Sequence, residues 1–102
     1  MPKFLIEVPH ESDTVACSRA VQIFLSTGSH FLSNADWGCL DGVHSAWMVV
    51  DVADKAEALG IVPPAFRAGT RIVGLNRFEL AKIERFLARH AQGGRKDGPR
   101  DA

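Results

Sequence analysis

Apolar and polar residues alternate from Lys3 to Val8: Phe4, Ile6 and Val8 share one face, and Lys3, Leu5 and Glu7 the other. A period of two ending at Pro9 predicts a strand over residues 3–9. The period then lengthens. Cys17, Ala20, Val21, Phe24 and Leu25 recur at helical spacing behind three candidate N-caps, Ser12, Asp13 and Thr14, and Gly28 is the expected stop. Next, the pattern predicts a strand near 30–37, a Gly- and Asp-rich turn at 38–42 and a strand near 43–52. Asp54 with Glu57 forms a capping box for a short helix that Gly60 and Pro63-Pro64 bring to an end. Residues 70–76 read as a fourth strand. Asn76 and Glu79 are the expected caps of a third helix, with an apolar stripe of Leu80, Ile83, Phe86 and Leu87. From Gln92 to Ala102 the chain is Gly, Pro and charge with no large apolar residue, so residues 1–91 form the expected single domain and 92–102 a flexible polar tail.

The element order is β-α-β-β-α-β-α. This places the chain in the α+β class, as a ferredoxin-like βαββαβ unit plus a C-terminal helix, with an antiparallel sheet carrying its helices on one face. The expected sheet order is 4-1-3-2. It gathers the end of strand 1, the start of helix 1, the hairpin turn and the start of strand 3 at one end of the sheet. Strand 3 is apolar on both faces, with Ala46, Met48, Val50 and Val52 on one and Trp47 and Val49 on the other. A strand apolar on both sides is usually covered on both. The helices cover one side, so a second copy is the expected cover of the other, in a symmetric homodimer with sheet facing sheet.

Composition narrows the partners. Twelve basic residues balance twelve acidic ones among 102, so no global field draws in nucleic acid or anionic lipid. The opening apolar run is too short for a signal peptide and no segment approaches membrane-spanning length, so the expected compartment is the cytoplasm. The two cysteines, Cys17 and Cys39, lie 22 residues apart without a CxxC pair. That spacing allows a disulfide, but a reducing compartment favours free thiols. No G-x-S-x-G elbow, phosphate loop, or flavin or nucleotide motif is present.

Two constellations carry the candidate chemistry. The first is His10, Glu11, Cys17, Cys39, Asp41 and His44, all expected at the same end of the sheet. Alternation turns His10 and His44 toward the helix layer, where Cys17 sits near the start of the first helix. Imidazole, thiolate and carboxylate are the donors that zinc, nickel or copper take, so His10, Cys17, Cys39 and His44 are the candidate metal ligands. The plain alternative is a small core cysteine, a turn cysteine and two polar edge histidines. The second constellation is the bare sheet face: Glu7, Ser45, Trp47, Asp51 and Arg71, with Asn34 or Asp36. Facing another copy, it becomes a cavity wall for a small organic ligand. There Glu7, desolvated by Trp47, is the candidate proton-transfer residue. The plain alternative is a dimer interface anchored by Trp47, with Glu7 paired to Arg71 or Lys3. Trp37, a packing residue beside the turn whose indole could also wall the pocket mouth, and Arg67, expected near the end where the histidines gather as a carboxylate partner or a solvated loop arginine, complete the candidate ligand-binding set.

The run Ala46-Trp47-Met48-Val49-Val50-Asp51-Val52, followed by Ala56-Glu57-Ala58-Leu59 and Pro63-Pro64-Ala65-Phe66, resembles part of muconolactone isomerase-like chains. Together with the element order over residues 1–91, it likens the chain to the dimeric α+β barrel superfamily of small bacterial proteins. The resemblance implies a homodimer binding a small molecule, with isomerase- or monooxygenase-like chemistry. It carries over no active-site residue. Three readings therefore stand at this point: first, small-molecule binding in an inter-subunit cavity; next, a metal-binding module built on His10, His44 and a cysteine; and third, a structural or interaction protein with no ligand.

Overall fold

A computed structural model describes residues 1–92. The polar tail expected over 92–102 lies outside the described residues except for Gln92, which closes the last helix. Strands β1 (Lys3–Pro9), β2 (Asp36–Trp37), β3 (Ser45–Asp51) and β4 (Arg71–Leu75) form one antiparallel sheet in the order β2-β3-β1-β4. Read from the other edge this is the expected 4-1-3-2. Helices α1 (Thr14–Ser26), α2 (His30–Ser33) and α3 (Lys55–Ile61) lie against one face, and α4 (Leu80–Gln92) follows β4. No described helix is long and apolar enough to cross a membrane.

The alternation read from the sequence decides which face is dry. Phe4, Ile6 and Val8 of β1 and Ala46, Met48 and Val50 of β3 are buried, and pack with Phe24, Leu32, Ala58 and Val62 from the helix side. Phe24 is the centre of this layer. Its ring meets Trp37 edge-on at 4.9 Å between centroids and Phe66 at 5.8 Å. Of the three candidate caps, Asp13 is the one used: its carboxylate accepts from the Val15 and Ala16 N–H groups at 2.8 and 3.1 Å. Such a cap is worth about 1 kcal/mol and fixes where α1 begins. Asp54 caps α3 as expected, accepting from the Glu57 N–H at 2.8 Å.

One expected element is different. Residues 30–37 are mostly not a strand: they hold the single helical turn α2, and β2 keeps only Asp36 and Trp37. The cause is local. Gly28 adopts a left-handed φ of 76°, which ends α1 and redirects the chain. The Ser29 hydroxyl then accepts from the Leu32 N–H, starting a new turn that drops Leu32 into the core. Asn34 consequently caps α2 and is not on the sheet. At the other end, α4 begins at Leu80, so Glu79 stands ahead of it and accepts the Lys82 and Ile83 N–H groups through its carbonyl, while Asn76 lies farther back. The helix contributes nothing to the buried core. Ile83 and Phe86 of its stripe are half-buried, but Leu80 and Leu87 are 73% and 49% exposed.

Candidate metal centre

β1 and β3 run antiparallel, with Val8 opposite Ala46 and Pro9 opposite Ser45. Just past the end of this ladder the His10 N–H donates to the His44 carbonyl at 3.0 Å. Strand alternation continues into both residues, so the rings fall on the helix side and stand edge-on, 5.7 Å apart. Cys17 arrives from the start of α1, its N–H bonded to the Asp13 carbonyl that opens the helix. Cys39 opens a turn of 3-10 helix, Cys39–Asp41, inserted between β2 and β3.

That turn is pressed onto the sheet by Gly38. A Cβ at this position would lie 2.7 Å from the Val43 carbonyl oxygen and 2.8 Å from the Trp47 ring. Gly42 closes the turn at a φ of 80°. Gly38, expected only as a turn residue, is thus a positioning residue. Its signal was a glycine directly ahead of a candidate ligand at a strand-to-turn junction.

The result is one group. The donor atoms of His10, Cys17, Cys39 and His44 all lie within 4.8 Å of one another. His10 Nε2 is 3.1 Å from Cys39 Sγ, and the two Sγ atoms are 2.8 Å apart. Zinc in a tetrahedron of two sulfurs and two nitrogens spaces its donors about 3.3–3.8 Å apart, so small side-chain shifts convert this cluster into a ligand shell. Nδ1 of His10 and Nδ1 of His44 are both buried without a hydrogen-bond partner. Each ring thus keeps one nitrogen that no protein group satisfies. A depression of about 420 Å³, lined by Glu11, Arg19 and Phe66 among others, meets the cluster at His10. Glu11 and Asp41, expected in the same constellation, are exposed and outside the group.

Electrostatics sets the pH window. Burial, and then the charge of His44, lowers the pKa of His10 below its ordinary 6.5. Burial first, and then the thiol of Cys17, raises Cys39 above its ordinary 9.0. Both shifts favour neutral side chains. A depressed imidazole contributes stability that is present above pH 6.5 and lost as pH falls through its folded value. A raised thiol contributes stability that is present below pH 9.0 and lost as pH rises through its folded value. Metal-free protein is thus expected to be most stable between these limits, as thermal melts across pH would show. If Cys39 ligates a metal ion, uptake expels its proton, and affinity is then expected to rise by about tenfold or more per pH unit through neutrality. A flat affinity between pH 6.5 and 8 would exclude Cys39 as a ligand.

The second constellation lies on the opposite face. Glu7 accepts from Trp47 Nε1 at 3.3 Å and from Arg71 Nε at 3.0 Å, with Arg71 also in ionic contact at 3.0 Å. Its carboxylate is thus held by a cation and an indole. Asp51 reaches Lys3 at 3.8 Å. Asp36, opposite Trp47, shares this face, and Ser45 is buried beneath its edge. Arg67 does not turn toward the histidines. It donates to the Val62 and Gly60 carbonyls at 2.7 and 3.2 Å, closing the end of α3. Trp37 belongs to the helix side, between Phe24 and His10, its ring 5.6 Å from that of His10.

No protein-family model matches the chain, and neither a curated protein nor a solved structure is found similar to it. The fold and site by themselves define a class: an α+β protein with a four-stranded antiparallel sheet and a two-histidine, two-cysteine group able to hold a metal ion.

Proposed function

We propose that this protein is a metal-binding module that takes a zinc-class transition metal ion through His10, Cys17, Cys39 and His44. The observation that carries the reading is the convergence of four soft or borderline donors, from β1, α1, the Cys39 turn and the approach to β3, within 4.8 Å. Two sulfurs and two imidazole nitrogens favour tetrahedral zinc over hard, oxygen-seeking cations. Four protein donors leave no coordination position for water or substrate, so the site suits holding or sensing an ion better than hydrolysis. The test is elemental analysis of untagged protein purified without chelator, followed by zinc titration of the reduced apo-protein. Near-stoichiometric zinc, nickel or copper supports the reading. Failure of the reduced protein to take up any of the three at micromolar concentration sinks it.

A second reading is favoured by the uncovered sheet face. Val49 lies at the middle of β3 and is 57% exposed, flanked by Leu5 of β1, itself paired with Val73 of β4. We propose that a second copy covers this face, as the resemblance to dimeric α+β barrels implies. The enclosed space, walled by Trp47, Glu7 and Arg71, would receive a small molecule. Light scattering is expected to give a dimer mass at micromolar concentration, and Val49→Asp to give a folded monomer. A monomeric wild-type chain removes this reading and leaves the metal module untouched.

A further inference from the structure

The two thiols in the cluster are in direct contact. Cys17 and Cys39 are both free and half-buried, with Sγ atoms 2.8 Å apart. Among the described residues, the partners of Cys39 Sγ are Cys17 and His10, and Cys17 Sγ donates to Cys39. They come from separate elements, α1 and the turn after β2, which the packing of Phe24 on Trp37 fastens together. Neither needs to cross the core to reach the other.

We propose that Cys17 and Cys39 are a redox-active dithiol that a peroxide converts to a disulfide, so that the cluster alternates between a metal-holding reduced form and a metal-free oxidised form. The metal half of this statement rests on the proposed function; the dithiol half does not. In the first step one thiolate attacks hydrogen peroxide: the O–O bond breaks, an S–O bond forms, and hydroxide leaves to become water. The second thiol then attacks the sulfenic sulfur: the S–S bond forms, the S–O bond breaks, and a second water leaves. Two thiols lose two electrons and two protons, and one peroxide is reduced to two waters. A disulfide offers no thiolate, so two of the four donors are withdrawn and the ion is left with His10 and His44 alone. A small thiol reductant reverses the change by exchange through a mixed disulfide.

The experiment uses the full chain, loaded with zinc and titrated with hydrogen peroxide. Intact mass after alkylation of free thiols is read beside zinc appearing in a chromogenic chelator. The expected result is an unalkylated monomer lighter by two hydrogens, with zinc release in step and recovery of zinc binding after dithiothreitol. Cys17→Ser and Cys39→Ser, examined as apo-proteins, should instead carry the remaining sulfur on to sulfinic acid. Bridging with zinc retained, oxygen addition to the wild type without bridging, or disulfides only between chains would each overturn the inference. The two readings fail separately. A chain that takes up zinc but never bridges loses the dithiol alone, whereas a chain that bridges but never takes up zinc loses the metal module alone.

Discussion

Cys39→Ser is expected to abolish the metal-dependent rise in melting temperature while leaving the apo-protein close to wild type. An ion that binds the folded chain at a thousand times its dissociation constant stabilises it by about 4 kcal/mol. In a domain of this size each kcal/mol moves the melting temperature by roughly 4–8 °C, so the wild type should gain on the order of 15–30 °C with saturating zinc. Removing one of four donors removes nearly all of that gain. His10→Ala and His44→Ala should do the same, since each supplies an imidazole to the one group. The controls are Glu11→Gln and Asp41→Asn, exposed carboxylates close in sequence to the ligands and outside the cluster. Melts with chelator and with zinc separate loss of metal from loss of fold. If the histidine and cysteine variants keep the full rise, the ion binds elsewhere.

Phe24→Ala is expected to produce the largest loss of intrinsic stability. The side chain is 1% exposed and its ring is shared between Trp37 and Phe66. Truncating a buried phenylalanine costs about 3–5 kcal/mol, through lost transfer energy and the cavity left behind. Small domains have about 5–15 kcal/mol in total, so the variant should unfold at a much lower urea concentration with an unchanged slope. Its consequences extend to the cluster, because Phe24 supports Trp37 and Trp37 stands edge-on to His10. Saturating zinc should raise the melting temperature of Phe24→Ala, since its four candidate ligands are intact, and leave that of Cys39→Ser unchanged. A loss under about 1 kcal/mol would contradict the central position of Phe24 in the core.

The fold was largely legible because its strongest signals are periodic. Alternation along β1 and β3 separated the buried row of Phe4, Ile6, Val8, Ala46, Met48 and Val50 from the other face, and the ladder pairs those rows as expected. Asp54 marked the start of α3, and the element order implied the sheet order. The stretch 30–37 departs from the expected strand because a single helical turn has too few residues to show a period. Ser29 and Gly28 determined it through one cap and one left-handed residue.

The site divides along the same line. The sequence by itself determined the donors: two histidines placed by strand parity at neighbouring ends of β1 and β3, a cysteine near a helix start, and another in a glycine-bounded turn. Parity and sheet order are local rules that survive without coordinates. Only the tertiary structure decided that both thiols reach the histidines and each other while Glu11 and Asp41 stay in solvent. It also decided that Arg67 closes α3 and that Glu7 is held by Arg71 and Trp47. Those outcomes depend on side-chain direction and on how closely Gly38 lets the Cys39 turn approach the sheet, distances of a few ångströms that no periodicity encodes.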